Sequence, residues 1–399
     1  MRRRERGMDA VVRKWAVCLA AVLLFAAGWP PARAAAVSAR AYALVEQTTG
    51  RVIAGADLDE RLPMASTTKI MTGLLACESG ELDKTFTVPP EALTVEGSSM
   101  GLQPDEPITL RALVYGLMLE SGNDAANSIA MLLGGSIEGF AAQMNARARA
   151  LHLDNTHFEN PSGLGADGHY TTALDLARLG AYAMKNPDFA QIVGTRRATV
   201  TYNGIAGART LVNHNRLLGS YDGEIGIKTG FTKKSGRCLV SCARRNGVTL
   251  VLATLNDPDD WRDHADLLDQ GFSALECKPL LDAPVERRVR VAGGVQSAVT
   301  VRCDPTVTAA LRADEIGKVT MQVRLPGKVA APVRTGQKIG ELRFTLDGAE
   351  IAHGDLLAAA AVAKNPASPN PFAMFFQSIG AFFARLFGQT NQKSAVSRA

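Results

Sequence analysis

Ser66 and Lys69 stand three residues apart in "PMASTTKIMTG" (63–73), where an apolar helical pattern begins. Two readings fit that spacing. Ser66 can be a helix N-cap, its hydroxyl accepting from a free backbone N–H of the first turn. A capping box, however, carries Glu or Gln at its third position, and a cation there opposes the helix dipole. In the other reading Lys69 shares a helix face with Ser66, in an apolar setting suggested by Met64, Ile70 and Met71. A desolvated lysine gives up its proton readily and can serve as base to a serine nucleophile.

Two further short motifs bear on the choice. "ESGNDAAN" puts Ser121, Gly122 and Asn123 in a tight connection between two helical patterns, from which Ser121 and Asn123 can project. "IGIKTGFT" puts Lys228, Thr229 and Gly230 on an apolar strand, with Gly230 lacking the side chain that would keep a ligand backbone away. Alone, the first could be a plain helix–helix turn and the second a chance match. Ser-x-x-Lys at a helix start, Ser-x-Asn at a helix junction and Lys-Thr-Gly on a strand, in that order, are far more specific together.

The elements that must position these residues are visible in the pattern. "AYALVEQTTGRVIAGAD" alternates around Thr-Thr-Gly and predicts a hairpin. Helical patterns follow at 67–79, at 109–120, from 124, from 136 and from 172. Strand patterns return in "RRATV", "EIGIKTG", "RCLVSCARR" and "VTLVLATL", before a last helix near "WRDHADLLDQGFSALE". Strands at both ends of a helical middle predict an α/β (α+β) domain, an antiparallel sheet covered by helices whose first and last strands pair. Its bounds are 37–276. From 280 to 363, "VERRVRV", "AVTVRC", "KVTMQVRL" and "ELRFTLDGAEI" read as a small all-β domain with an Asp-Gly turn and no catalytic constellation.

Composition narrows the partners. The net charge of +5 is carried entirely by residues 1–36, and the remainder has 37 basic and 37 acidic side chains, so nothing favours nucleic acid. Residues 1–36 read as a signal peptide: a basic start, the apolar run "WAVCLAAVLLFAA" and small residues near "PPARAAA". That run of 13 is short of the ~20 residues a spanning helix needs. Export permits disulfides, yet the five cysteines beyond the leader are odd in number and scattered. Cys238 and Cys242 fall on one strand, too far apart to bridge, and read as small buried side chains. The six histidines show no metal spacing, so no metal or other cofactor is expected.

The three motifs, with Asp in the middle of the second where this chain has Gly122, mark penicillin-binding proteins and class A β-lactamases. The runs "EGSSMGLQPDEPITLRALVYGLMLESGNDAAN", "NTHFENPSGLGADGHYTTALDLARLG" and "LVNHNRLLGSYDGEIGIKTGFTKKSGRCLVSCARR" resemble the D-alanyl-D-alanine carboxypeptidases of serine-peptidase family S11, the low-molecular-mass penicillin-binding proteins. The resemblance is dense over 38–276 and implies a β-lactamase/transpeptidase-like fold. Asp105 stands where relatives more often have glycine, and Arg237 where an aromatic is common. It also implies roles. Ser66 attacks the carbonyl between the last two D-alanines of a peptidoglycan stem peptide, Lys69 takes its proton, and Ser121 relays it to the departing amine. Lys228 and Thr229 suit the terminal carboxylate, Asn123 an amide of the acyl part, and the N–H groups of Ser66 and Phe231 the oxyanion. β-Lactam antibiotics are then expected to acylate the same serine.

A β-lactamase reading needs a carboxylate to activate water, and no E-x-x-L-N-type segment lies between Asn123 and Lys228. A transpeptidase, usually a larger chain, and a non-catalytic muropeptide or β-lactam receptor remain as alternatives. "KNPASPNP" (364–371) reads as a linker, followed by "FAMFFQSIGAFFARLF" within 372–388. Phe372, Phe375, Phe376, Ile379, Phe382, Phe383, Leu386 and Phe387 make one helical stripe. Sixteen helical residues reach only ~24 Å, so this amphipathic helix is expected to lie in a membrane surface. It would hold the exported enzyme at the outer face of the cytoplasmic membrane, near the cell wall.

Overall fold

The computed structural model describes residues 37–165, 167–201, 208–366 and Ile379. The leader and the tail helix therefore lie outside the described residues, apart from Ile379. Strands β1 (Ala41–Glu46), β2 (Val52–Ala56), β3 (Glu224–Thr232), β4 (Gly236–Arg245) and β5 (Val248–Leu255) form one antiparallel sheet in the order β2–β1–β5–β4–β3. The predicted hairpin is β1–β2, with Gly50 at φ 70° in its turn. The first and last strands pair, from Ala41 opposite Leu255 to Glu46 opposite Leu250. Every residue of β5 is buried, which is why it reads as a continuous apolar run.

The helices longer than a single turn are α1 (Lys69–Glu78), α2 (Leu110–Leu119), α3 (Asn123–Gly134), α4 (Ile137–Ala150), α5 (Ala173–Ala183), α6 (Pro187–Val193) and α7 (Asp260–Ala274). Leu250 and Val251 are adjacent on β5 and so face opposite sides of the sheet. Leu250 lies under Gly271 of α7 and Val251 under Gly180 of α5, which fixes a helix–sheet–helix layering. Four helices start on side-chain caps: Thr109, Ser136, Thr172 and Asn186 each accept from the backbone N–H three residues on. Helix α1 has no such cap.

Six more strands follow: β6 (Val285–Ala292), β7 (Ala298–Cys303), β8 (Thr320–Arg324), β9 (Lys328–Ala330), β10 (Lys338–Leu346) and β11 (Ala349–Ala358). They form one sheet in the order β8–β10–β11–β7–β6–β9, with the Asp347–Gly348 turn between β10 and β11. Alternate residues such as Val289, Val291, Leu342, Phe344 and Leu346 make a second hydrophobic core. Arg51 pairs with Glu315 at 2.6 Å and Arg312 donates to the Ile53 carbonyl at 2.7 Å, tying the β1–β2 hairpin to the β domain. Sequence patterning misses α6 and the short pair Glu276–Pro279 with Thr308–Leu311, whose few residues show no periodicity. All five cysteines of the described residues are free, with Cys238 and Cys242 buried on β4. The start of the predicted linker is not detached: Lys364 bridges Gly294 and Asn365 N donates to Gly293 O at 2.8 Å.

Candidate active site

Ser66 is the second residue of a tight 3-10 turn, Ala65–Thr68, that leads into α1. It is not a cap. Its Oγ lies 2.9 Å from Lys69 Nζ, within the reach that the nucleophile–base reading of this spacing requires. The preceding Ala65 has φ 48°, a left-handed conformation that costs a non-glycine residue energy and is held only by its surroundings.

Lys69 is 0% exposed and makes three bonds: to Ser66, to Asn123 Oδ1 at 2.7 Å and to the Ser162 carbonyl at 3.0 Å. Its pKa is driven well below the ordinary lysine value, first by burial and then by repulsion from Lys228, with Asp124 opposing. Desolvation outranks that repulsion. Lys228 is 1% exposed, its Nζ donates to Thr229 O at 3.1 Å, and burial lowers its pKa to about 7.

Ser121 sits at φ 59° just before α3, and its Oγ makes no hydrogen bond among the described residues. Asn123 opens α3: besides holding Lys69, one N–H of its Nδ2 donates to Glu96 O at 2.6 Å and its backbone N to Ser98 O at 2.8 Å. The second Nδ2 hydrogen is left for a substrate carbonyl. Gly122 has no side chain where a Cβ would stand 2.8 Å from Asp124 Oδ1 and 3.1 Å from Met100 N.

Thr229, Gly230 and Phe231 end the edge strand β3, whose outer side carries no strand partner among the described residues. Phe231 is 65% exposed. The space left by Gly230 is taken by the Ser66 turn and its neighbour Met64, since a Cβ would meet Met64 O, Ser66 N and Thr67 N at 3.1 Å each. Glycine here lets the Ser66 turn close on β3, which corrects the expectation of a gap for ligand backbone.

Two contributors escape sequence reasoning. Asp124 accepts at Oδ1 from Met100 N and Ala125 N, and at Oδ2 from Ser99 Oγ, Gly101 N and Leu102 N, all within 3.1 Å. It pins the 98–102 connection that supplies Ser98 O to Asn123. An acid in the first turn of α3 is the available signal, but helix-dipole complementarity accounts for it equally well. The second is Ser162 O, a backbone acceptor that no side-chain pattern reveals. Among the described residues no group of three or more His, Cys, Asp or Glu side chains could hold a metal ion.

Comparison with known proteins gives the family. Residues 30–259 match the family model described as D-alanyl-D-alanine carboxypeptidase, and 282–364 that described as penicillin-binding protein 5, C-terminal domain. The D-alanyl-D-alanine carboxypeptidase DacF of Bacillus subtilis is 31% identical over 331 residues, 80% of this chain and 85% of that protein. A solved penicillin binding protein 5 from Haemophilus influenzae is 26% identical with a TM-score of 0.61, covering 84% of this chain and 100% of that one. The Streptomyces K15 DD-transpeptidase, solved as a serine-to-alanine mutant, is 32% identical with a TM-score of 0.57, over 59% of this chain and 98% of its own. The fold, the order of the motifs and these likenesses agree, and the chain belongs to the D-alanyl-D-alanine carboxypeptidases of serine-peptidase family S11.

Proposed function

We propose that Ser66, Lys69 and Ser121 carry the chemistry of this serine-type D-Ala-D-Ala carboxypeptidase, and that Asn123, Lys228, Thr229, Gly230 and Phe231 shape its substrate site. The carrying observation is the 2.9 Å contact of a fully buried lysine with the Ser66 hydroxyl. Neutral Lys69 takes the Ser66 proton as Oγ attacks the carbonyl between the last two D-alanines of a stem pentapeptide. The tetrahedral oxyanion is met by the backbone N–H groups of Ser66 and Phe231. Collapse returns the proton, through Ser121, to the departing D-alanine amine and leaves an acyl-Ser66 ester. Water then attacks that ester, giving a proton to Lys69, and Ser66 recovers its own. Lys228 and Thr229 hold the terminal carboxylate.

Product analysis on a pentapeptide tests this reading. Free D-alanine is expected; a cross-linked dimer would mark a transpeptidase and no product a receptor. Chain size does not separate the first two, because the Streptomyces transpeptidase is covered over 98% of its length by part of this chain.

Bound penicillin is expected to persist. Asp124, the carboxylate whose charge Lys69 feels, spends both oxygens on the 99–102 segment, and Glu159 is exposed. Hydrolysis of the penicilloyl ester, followed by loss of mass from the acylated protein, should be far slower than a typical enzymatic turnover of ~10 per second. Turnover at that rate would favour a β-lactamase.

Lys228 makes binding pH-dependent. With its pKa near 7 in the free enzyme, about one pH unit above that value it is mostly neutral, whereas a bound carboxylate favours the ammonium. Peptide binding there should take up a proton, seen as a dependence of the calorimetric heat on buffer ionisation. Binding without proton uptake would remove Lys228 from the carboxylate site.

For localisation, we propose export through the 1–36 leader and attachment to the membrane surface by the 372–388 helix. No helix of the described residues is long and apolar enough to cross a membrane. Deleting 367–399, which spares the bonds of Lys364 and Asn365, should move the processed enzyme from the membrane pellet to the soluble fraction with peptide hydrolysis unchanged. Continued pelleting would place the anchor elsewhere.

A further inference from the structure

Outside the three motifs, one buried side chain connects the nucleophile turn to the loop beside it. His169 is buried between Thr68, at the end of the Ser66 turn, and Glu159. Its Nδ1 accepts from the Glu159 backbone N–H at 3.1 Å, so the ring proton is assigned to Nε2. Nε2 lies 2.7 Å from Thr68 Oγ1, and that hydroxyl donates onward to the Ala65 carbonyl at 2.8 Å. The direction of the whole chain follows: His169 Nε2–H to Thr68 Oγ1, Thr68 O–H to Ala65 O.

Ala65 O belongs to the same peptide unit as the Ser66 N–H. In a trans peptide the carbonyl and the following N–H point in opposite directions within one plane. Anchoring Ala65 O on one side therefore aims Ser66 N–H on the other. The unit needs such anchoring, because Ala65 holds φ 48°. Gly163 covers the same carbonyl so closely that a Cβ would sit 1.9 Å from Ala65 O. The loop carrying Gly163 is itself braced by Asn160, whose Oδ1 accepts from Ser162 N at 3.1 Å and Gly163 N at 2.7 Å. That loop supplies Ser162 O to Lys69.

We propose that His169 is a positioning residue which, through Thr68 and the Ala65 carbonyl, aims the Ser66 backbone N–H at the developing oxyanion. This rests on the assignment of Ser66 N–H as an oxyanion donor. His169 touches neither substrate nor reacting atoms.

Two substitutions separate the ring's two bonds. Asparagine places its amide near Nδ1 and keeps the acceptor for Glu159 while losing the donor to Thr68. Glutamine reaches the Nε2 position and keeps the donor. His169→Asn and Thr68→Val should each lower kcat for D-alanine release, and the maximal acylation rate by penicillin, on the order of ten- to a hundred-fold with KM little changed, because the oxyanion contact is made only in the transition state. His169→Gln should stay within about three-fold of wild type, Thr68→Ser should restore most of the Thr68→Val loss, and the double variant His169→Asn/Thr68→Val should lose no more than either single one. Wild-type kcat in His169→Asn, or equal losses in Asn and Gln that track thermal stability, would overturn the proposal. If His169→Asn does not fold, the Thr68 pair decides alone: equal kcat for Thr68→Val and Thr68→Ser would overturn it. The nucleophile assignment fails separately, by labelling of Ser66→Ala.

Discussion

A Ser66→Ala enzyme releases no D-alanine from a diacetylated Lys-D-Ala-D-Ala peptide and takes up no label from a fluorescent penicillin, while remaining folded. The loss is expected to be on the order of a million-fold, the scale seen when a serine nucleophile is removed. The fold is expected to survive because the Ser66 hydroxyl makes one hydrogen bond among the described residues, and Lys69 keeps Asn123 and Ser162 when it goes. A single hydrogen bond of this kind is worth about 1 kcal/mol, small against the stability of a domain. Thermal unfolding and circular dichroism should therefore match wild type closely. Labelling at the wild-type rate would show that another hydroxyl is the nucleophile, and Ser121, buried two residues before the Asn123 that holds Lys69, would be tested next.

The contrast between Ser66 and its surroundings shows what a sequence reveals. Ser66, Lys69, Ser121, Asn123 and Lys228 stand out in the sequence because the chemistry proposed for them depends on residue type at short spacing. The sheet is legible because "VTLVLATL" is a short run rich in β-branched and apolar residues and the first hairpin alternates around its turn. Asp124 is not legible as a clamp, since its partners lie 22 to 25 residues earlier in a segment without periodicity. Ser162 O and Ala65 O are hidden for a different reason: any residue type carries a carbonyl, and only tertiary folding decides which one meets a lysine. Gly230 is legible as necessary but not for its reason, because the atoms that crowd it come from the Ala65–Thr68 turn and its neighbour Met64, at the far end of the domain's sequence.

Replacing Lys69 by methionine separates catalysis from folding more sharply than any other change at the site. Methionine fills the buried space without a base, so acylation by penicillin and D-alanine release should fall by at least about 10²- to 10⁴-fold, the contribution of a positioned proton acceptor. The same variant reports the charge state of Lys69 in the resting enzyme. Burial and Lys228 hold the Lys69 pKa well below its ordinary 10.5, and burial alone brings Lys228 to about 7. Between those lowered values and 10.5 the unfolded chain binds more protons than the folded one, so stability rises with pH in that window. Each such lysine contributes a slope of up to about 1.4 kcal/mol per pH unit. Lys69→Met removes its own contribution, and denaturant unfolding at several pH values above about 7 should show the slope fall by up to about 1.4 kcal/mol per pH unit relative to wild type. An unchanged slope would mean that Lys69 stays protonated in the folded enzyme and cannot take the proton of Ser66. Activity within about ten-fold of wild type would lead to the same conclusion by a different measurement. A shallower slope together with lost acylation would identify the buried neutral amine as the base.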